Sequence, residues 1–334
     1  MIRISYILPV YGVEKYISEC LDRIYSQDLP ESDYEVICVD DCSPDRSNEI
    51  IRQYQQKHDN LILIEHKINK MSGGARNTGI RNAKGEYVWF VDPDDLISHN
   101  SVSQIIDVCE KENPDVICFN YSVLKNNSES VDKCFKKELH NLKGVSFIEK
   151  QFGKELIYHL GYAVRSVYRL QLVMDNNIRF PENMRFGQDT TFMMQAIVVA
   201  DKVAVIPDAL YRYRQTDSQV TSQLNRGSGK LIYFSTIGAA EMIINWRNSI
   251  VDSAKTVAHF LDDGLPWFIN RLFIRLVKTS HKERKEFYNM LRDTRPSRQL
   301  VNYMNRVNRI IVKNPFIGSV LLDVLSVFYK IKHA

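Results

Sequence analysis

The sequence predicts an α/β fold with a mostly parallel central sheet, followed by an all-helical C-terminal region. Up to residue 222, short apolar runs of strand type alternate with segments that are apolar at helical spacing, as strands and crossover helices do in a parallel sheet. Polar residues follow three of the strands. From about residue 230 the helical patterns continue without intervening strands. A chain of 334 residues can hold one large domain and a smaller region.

Five strands are predicted from runs rich in β-branched and aromatic residues: 2–8, 34–39, 61–65, 87–91 and 116–123. Helices are predicted between them at 13–25, 43–57, 76–83, 101–112 and, further on, at 190–200. Ser43 followed by Pro44 predicts the start of the second helix, as N-cap and first turn. The adjacent glycines Gly73 and Gly74 predict a loop over 69–74, and 203–206 is a further strand-like segment.

Three carboxylates, Asp92, Asp94 and Asp95, directly follow the fourth strand. Charges so close repel one another and raise each other's pKa unless a cation lies among them. Oxygen ligands suit Mg²⁺ or Mn²⁺. In an extended chain Asp92 and Asp94 would share a face and could bind one ion. The alternative is a polar turn that caps the next helix through Asp95 or Ser98.

In a parallel sheet, ligands bind beyond the carboxyl ends of the strands, so the segments after strands one, two and four should line one edge. The chain has no Gly-x-Gly-x-x-Gly after the first strand and no Gly-Lys-Ser/Thr, which disfavours dinucleotide dehydrogenases and P-loop enzymes. Tyr11 could stack on a base, Asp41 could accept from its ring N–H, and Arg76 could bind a base edge or phosphate. Alternatively, Tyr11 is a core-edge aromatic and Arg76 pairs with Asp40 or Asp41.

The net charge of +4 is unevenly distributed, because residues 271–334 carry 14 Lys/Arg against 4 Asp/Glu and the rest of the chain is acidic. This asymmetry indicates an anionic partner for the C-terminal region, and no motif indicates nucleic acid. Six cysteines lack Cys-x-x-Cys spacing and the first residues have no signal-peptide pattern, so we expect a cytoplasmic protein.

Several motifs together resemble glycosyltransferase family 2, the inverting enzymes of GT-A fold. They are Leu-Pro-Val-Tyr-Gly (8–12), Val-Asp-Asp-Cys-Ser-Pro-Asp (39–45), Gly-Gly-Ala-Arg-Asn-Thr-Gly-Ile (73–80), Gly-Glu-Tyr-Val-Trp-Phe-Val-Asp-Pro-Asp-Asp (85–95), Phe-Gly-Gln-Asp (186–189) and Tyr-Arg-Tyr-Arg (211–214). Their order and spacing cover residues 2–222. The later motifs are most similar to those of enzymes that build capsules, exopolysaccharides or cell-wall glycans.

The resemblance implies a role for each matching residue. The uridine of a UDP-sugar would be held by Pro9, Tyr11, Asp41, Asn69 and Arg76. Asp92 would contact ribose or metal, and Asp94 would bind Mn²⁺ or Mg²⁺ in a DxD motif. Asp189 matches the catalytic base, and a helix N-terminus there would favour its ionised form; without the resemblance, Asp189 would be interpreted as a helix cap.

Two residues depart from the family pattern: Gln188 replaces a Glu and Cys42 replaces a Gly. Gln188 loses a charge that could orient the acceptor, and Cys42 should change only a turn conformation. Arg212 or Arg214 could contact the diphosphate, with 218–221 ordering beside them.

We therefore predict a GT-A catalytic domain over 1–222 and a helical region over 223–334. Core packing is favoured for 233–261. The apolar and basic patterns at 267–277 and 315–331 fit either an anionic membrane surface or contacts within the protein, including a homo-oligomer. For the last helix, 315–331, the two alternatives are favoured about equally. No run is long enough to predict a spanning helix.

The predicted function is a metal-dependent, inverting glycosyltransferase of hexosyl or N-acetylhexosaminyl type. Its donor would be a nucleotide sugar, most simply a UDP-sugar, and its acceptor a surface polysaccharide or a polyprenyl-linked glycan at the inner face of the plasma membrane. Two alternatives are a sugar-phosphate nucleotidyltransferase, which would release pyrophosphate, and a non-catalytic glycan-binding or scaffold protein, for which Gln188 is the hint.

Overall fold

The structure is a computed structural model that describes residues 2–125, 128–151, 162–182, 187–215, 237–249, 280–304 and 312–314, with single residues at 233, 276 and 309. The chain divides into two compact units. The first comprises residues 1–151 with 162–215, and the second comprises 152–161 with 216–334. The boundary that the sequence places at residue 222 stays a prediction.

The first unit contains a mixed sheet whose strands are β1 (Ile4–Val10), β2 (Tyr34–Asp40), β3 (Leu61–Glu65), β4 (Tyr87–Phe90), β5 (Leu96–Ile97), β6 (Val116–Lys125), β7 (Ser128–Asp132), β8 (Leu139–Leu142), β9 (Ser166–Arg169) and β10 (Val203–Arg214). Its main path is β3-β2-β1-β4-β9-β6-β10-β5, with β7 paired to β6 and β8 to β10. Its helices are α1 (Ile17–Tyr25), α2 (Ser47–Gln55), α3 (Met71–Asn82), α4 (Ser101–Glu112), α5 (Gly144–Gln151), α6 (Leu170–Asp175) and α7 (Gln188–Val199).

The predicted α/β architecture is confirmed, and the sheet is parallel in its first half. Strands β3, β2, β1 and β4 are mutually parallel. Strand β9 then runs antiparallel to both β4 and β6, while β6 and β10 are again parallel. Strands β1, β2 and β4 are buried along their whole length, which explains why each is a nearly continuous apolar run.

Two helix starts differ from the sequence prediction because polar side chains fix turns ahead of them. Helix α1 begins four residues later than predicted, since the amides of Val13 and Glu14 bond to the side chains of Ser47 and Asp45. Ser43 is not an N-cap: its own N–H donates to the Asp40 carboxylate, and α2 begins at Ser47.

Helix α3 begins at Met71, before the two glycines that had indicated a loop. Glycine in α3 allows close packing instead, as Gly79 shows. A Cβ at Gly79 would lie 2.3 Å from Ile7 Cγ2, so only glycine lets α3 approach β1 this closely. This contact brings the polar residues of α3 against the sheet edge.

The second unit is described through three helices, α8 (Ala239–Ser249), α9 (His281–Thr294) and α10 (Arg298–Tyr303). Ser280 and Glu283 form a capping box at the start of α9. Ile243 and Ile244 are buried, as core packing of the 233–246 segment requires. Within the described residues, no helix combines the length and apolar character needed to cross a bilayer. The predicted segments 251–261, 267–277 (apart from Leu276) and 315–331 lie outside the described residues.

Candidate functional site

The polar segments that follow β1, β2 and β4 lie at one edge of the sheet. Val10 pairs with Asp40 across the parallel β1–β2 ladder, and Ile7 pairs with Phe90 across β1–β4. The strands therefore deliver Tyr11, Asp41 and Asp92 to the same edge, as the sequence predicts. Tyr11 is 56% exposed, so its ring is available to a ligand and the core-edge alternative is wrong.

Asp41 forms the centre of a buried hydrogen-bond network, called here the Asp41 pocket and made of Asp41, His66, Asn69, Lys70 and Thr78. The Asp41 Oδ1 atom accepts from the Lys70 amide at 2.8 Å and lies 2.7 Å from His66 Nδ1. Asn69 Nδ2 donates to the Asp41 carbonyl at 2.8 Å. His66 Nε2 lies 2.9 Å from Thr78 Oγ1. These contacts fix both carboxylate and backbone of Asp41, and His66 and Thr78 were not identified from the sequence.

Cys42 occupies the turn after Asp41 with φ of 66°. This left-handed conformation costs a side-chain-bearing residue about 1 kcal/mol that glycine does not incur. The Cys42 thiol donates to the His66 carbonyl at 3.2 Å, which ties this turn to the Asp41 pocket. The position therefore retains a glycine-like turn despite its cysteine.

Residues Asp92, Pro93, Asp94 and Asp95 form a turn, called here the carboxylate turn, and not an extended chain. The Asp95 amide donates to the Asp92 carbonyl at 2.9 Å. The expectation of a shared strand face for Asp92 and Asp94 is therefore wrong, although both side chains remain half-buried at the surface.

Asp95 attaches the carboxylate turn to β10 through buried hydrogen bonds. It is 1% exposed, and its carboxylate accepts from the Tyr211 hydroxyl and the Arg214 amide, each at 2.8 Å. Tyr211 in turn accepts from the Asp92 amide at 3.1 Å. Burial, followed by the charges of Asp94 and Asp92, raises the pKa of Asp95 well above its ordinary value. Asp95 is thus a structural anchor, and the alternative of a helix cap is wrong.

Arg76 joins the carboxylate turn to Asp189. Its guanidinium donates at 2.5 Å to Asp92 and at 2.8 Å to Asp189, and it lies 5.2 Å from the centre of the Phe180 ring. Burial alone would lower the pKa of Arg76, but Asp189 and Asp92 raise it above its ordinary value. The alternative pairing with Asp40 or Asp41 is wrong. We call Arg76, Asp189 and the carboxylate turn together the carboxylate–arginine site.

Asp189 lies in the first turn of α7, after Gly187 at φ of 78°. Gly187 is the N-cap and Asp189 is the second residue of the helix, so the interpretation of Asp189 as a helix cap is wrong. Burial raises its pKa to about 6, despite the opposing charge of Arg76. The expected stabilisation of the ionised form by the helix N-terminus is therefore outweighed by desolvation. The side chain keeps 27% of its surface accessible, so a substrate hydroxyl can reach it.

Gln188 is buried beside Asp189 and connects α7 to α3. Its Nε2 donates to Ser72 Oγ, and its Oε1 has no hydrogen-bond partner among the described atoms. A Cβ at Gly73 would lie 2.5 Å from that oxygen and 2.3 Å from the Pro181 carbonyl. Gln188 therefore contributes to the close contact between the helices that carry Arg76 and Asp189.

The two arginines at the end of β10 have protein partners. Arg212 makes two hydrogen bonds to the Glu129 carboxylate. Arg214 donates to the Asp94 carbonyl at 3.0 Å and to Glu19 at 2.6 Å. Arg214 thus holds the backbone of the carboxylate turn. The predicted segment 218–221 lies outside the described residues.

The donor atoms of the carboxylate turn fit a hard divalent cation. Across the described ranges, no three His, Cys, Asp or Glu side chains are already arranged as a metal site. However, the charges of Asp92 and Asp94 act together on Asp95, and a cation would relieve that repulsion. Asp94 and the second oxygen of Asp92 are the ligands that fit Mn²⁺ or Mg²⁺, and their role stays a prediction.

Residues 5–167 match the sequence model of glycosyl transferase family 2. The chain is 34% identical over 212 residues to a poly(ribitol-phosphate) beta-glucosyltransferase of Bacillus spizizenii, covering 63% of this chain and 32% of that protein. It is 32% identical over 216 residues to the poly(ribitol-phosphate) beta-N-acetylglucosaminyltransferase TarS of Staphylococcus aureus, covering 64% of this chain and 35% of TarS. The chain thus spans about a third of the length of these relatives.

Solved structures extend the likeness over nearly the whole chain. The crystal structure of TarS residues 1–349 from S. aureus in complex with UDP-GlcNAc matches with a TM-score of 0.75 and 25% identity, covering 98% of this chain and 92% of that one. The structural match therefore includes the region beyond the sequence match.

Proposed function

We propose that the chain is a family 2 glycosyltransferase that transfers a sugar from a UDP-sugar to a teichoic acid or another surface polysaccharide. The match of residues 5–167 to the family model and the GT-A fold support this proposal. One observation carries the proposal: a single guanidinium, Arg76, bonds both Asp92 at the donor-side turn and Asp189 on α7. This bridge holds the predicted leaving-group side and the predicted base at a short, fixed separation. The names of the relatives support the substrate class.

On the donor side, Tyr11 stacks on the uracil ring and Asp41 accepts from its N3–H. The Asp41 pocket supports this role because Lys70, His66 and Asn69 hold Asp41 in place before any ligand arrives. A preorganised acceptor loses little entropy when the base binds. Pro9 at the end of β1 shapes the same edge.

On the acceptor side, Asp189 takes the proton of the attacking hydroxyl. That oxygen forms the new bond to the anomeric carbon while the bond from this carbon to the diphosphate oxygen breaks, with inversion. A carboxylate whose pKa is about 6 is ionised near neutral pH and basic enough to accept the proton. Arg76 keeps the base oriented. When bound by Asp92 and Asp94, Mn²⁺ or Mg²⁺ supplies positive charge for the departing diphosphate.

The test is a product assay on the full chain with UDP-glucose, UDP-N-acetylglucosamine and the corresponding GDP- and CDP-sugars. We expect UDP release and, from an α-linked donor, a β-linked product, which NMR of the new anomeric centre would establish. Retention of configuration would contradict the assigned role of Asp189. Pyrophosphate release from UTP and a sugar phosphate would support the nucleotidyltransferase alternative, and absence of any nucleotide binding by folded protein would support a scaffold.

For the C-terminal region, we propose a helical unit beginning near residue 223 that contacts an anionic membrane surface or a second copy of the chain. The support is the excess of Lys/Arg over Asp/Glu in 271–334. This contact would bring the enzyme to a polyprenyl-linked acceptor at the inner face of the plasma membrane. Flotation of the full chain with anionic and with zwitterionic vesicles tests it, and equal recovery in both samples would contradict an electrostatic membrane contact.

A further inference from the structure

Three tyrosines from separate segments form a ring cluster that the donor site does not use. Tyr121 lies on β6, Tyr213 on β10, and Tyr162 directly precedes the short 3-10 helix Ala163–Arg165. Their ring centres are separated by 5.7 Å, 6.4 Å and 6.5 Å. Tyr162 is 37% exposed, and the other two are partly accessible. We call these residues the tyrosine cluster.

The backbone connects the tyrosine cluster to both halves of the proposed catalytic site. Tyr162 directly precedes the 3-10 helix Ala163–Arg165, which packs against α7, the helix that carries Asp189. Tyr213 lies between Tyr211 and Arg214, which both donate to Asp95 at the base of the carboxylate turn. Tyr162 is therefore next to a segment that packs on the helix of the proposed base, and Tyr213 is next to Arg214, one of the two anchors of the turn. An acceptor whose hydroxyl reaches Asp189 must extend across neighbouring surface.

We propose that the tyrosine cluster is an acceptor subsite that binds a pyranose ring, an inference that rests on the proposed function. The C–H groups of one pyranose face carry small positive charge and match the negative face of an aromatic ring. Tyrosine hydroxyls at the ring edge both donate and accept, as sugar hydroxyls do. A tyrosine side chain has only two rotatable torsions to immobilise on binding, so it provides contact area at low entropic cost.

The charges that touch the cluster favour a neutral sugar over a polyol-phosphate chain. The Arg165 guanidinium lies 5.5 Å from the centre of the Tyr121 ring, while the Tyr121 hydroxyl donates to Asp132 at 2.9 Å. On the neighbouring strand, Arg212 is already paired with Glu129. A phosphodiester chain is bound most strongly by an excess of cations, whereas these contacts combine both signs.

The test compares Tyr162→Ala with Tyr11→Ala, the substitutions of two exposed tyrosines, one in the tyrosine cluster and one at the proposed nucleotide site. Methyl glucoside, methyl galactoside and methyl N-acetylglucosaminide are offered to UDP-loaded protein and their binding is followed by saturation-transfer NMR, with ribitol phosphate as the anionic comparison. UDP affinity is measured separately by calorimetry. Tyr162→Phe retains the ring and controls for loss of folding, which thermal melts also check.

We expect at least one neutral pyranoside to bind wild type, and Tyr162→Ala to weaken it about tenfold, as loss of an aromatic contact of about 1.4 kcal/mol requires. Tyr162→Phe should retain binding, and UDP affinity should stay unchanged in both. Tyr11→Ala should give the converse, with weaker UDP binding and unaltered pyranoside binding.

Unchanged pyranoside affinity in Tyr162→Ala would overturn the proposal, as would wild type that binds UDP and ribitol phosphate but no neutral pyranoside. Failure of wild type to bind UDP while pyranoside binding remains would instead overturn the proposed transferase function and leave the sugar subsite standing. Absence of both would overturn both.

Discussion

The Asp41 pocket and the carboxylate–arginine site occupy the same sheet edge and differ in how their charges are compensated. In the Asp41 pocket one buried carboxylate receives hydrogen bonds from protein groups, including the Lys70 amide and His66. In the carboxylate–arginine site, Asp92 and Asp189 share one guanidinium, and the nearby Asp94 and Asp95 add further negative charge. In the first region protein groups alone compensate the carboxylate, whereas the second has a surplus of negative charge that a divalent cation would offset under the proposed function.

Asp189→Asn should have the largest effect, because it removes the proposed base and keeps the side-chain shape. Loss of general-base catalysis lowers the turnover by about 10²–10⁴-fold, while UDP affinity should change little because the Asp41 pocket is intact. Product formation and calorimetric UDP binding are the two measurements. Asp175→Asn, at an exposed carboxylate in α6, is the control. Turnover within a few-fold of wild type in Asp189→Asn would exclude the residue as base.

Arg76→Met should affect both catalysis and stability. It removes the shared counter-charge of Asp92 and Asp189, and leaving these two part-buried carboxylates uncompensated should cost about 2 kcal/mol in the free energy of unfolding. Denaturant unfolding measures this loss, and added Mn²⁺ should recover part of it if the carboxylates bind the ion. Arg52→Met is the matched control, since that guanidinium pairs with Glu65 at the surface, with side chains 53% and 47% exposed, and should cost at most about 1 kcal/mol. Equal losses in the two variants would contradict a special role for the buried bridge.

The pH dependence of catalysis should follow the ionisation of Asp189, whose pKa is raised to about 6 by burial. A base acts only when deprotonated, so kcat/KM should be constant above this pKa and fall about tenfold per pH unit below it. The measurement is a pH–rate profile between pH 5 and 8 at saturating Mn²⁺. A profile that stays flat to pH 5 would mean that Asp189 has an ordinary carboxylate pKa in the working enzyme.

His66→Leu should have the smallest effect, confined to the nucleotide base. It removes the donor 2.7 Å from Asp41 Oδ1 and should weaken UDP binding about tenfold, the cost of losing a hydrogen bond to a charged group. CDP binding should change less, because cytosine has no N3–H for Asp41 to accept. His66→Asn retains a donor and should recover part of the loss. The control is His58→Leu at the surface contact with Glu31, and equal losses for UDP and CDP in His66→Leu would contradict the positioning role.

The sequence predicts the parallel half of the sheet well because its signals are local. Strands β1, β2 and β4 are continuous apolar runs that end in polar residues, and parallel pairing then forces Tyr11, Asp41 and Asp92 to one edge. The motif order also identified Arg76 and Asp189, which are 113 positions apart and in direct contact. Their pairing was not predicted, since side-chain partners across the fold leave no periodic signal.

Other features depend on contacts between distant segments, which residue spacing does not reveal. Helix α3 contains both glycines, Gly73 and Gly74, because tertiary packing outweighs their low helix propensity. Asp95 was grouped with possible ligands, yet Tyr211 and Arg214 from β10 make it an anchor. The antiparallel β9 and Tyr162 of the tyrosine cluster lie in a part of the chain where no motif was identified.

The most direct test of the charge surplus is calorimetric titration of UDP into wild type and Asp94→Ala, each with and without Mn²⁺. If the carboxylate–arginine site requires a cation, Mn²⁺ should strengthen UDP binding to wild type by at least about tenfold, and this gain should vanish in Asp94→Ala while the weak metal-free binding persists through the Asp41 pocket. UDP affinity that is indifferent to Mn²⁺ in wild type, or a full Mn²⁺ effect in Asp94→Ala, would contradict the account.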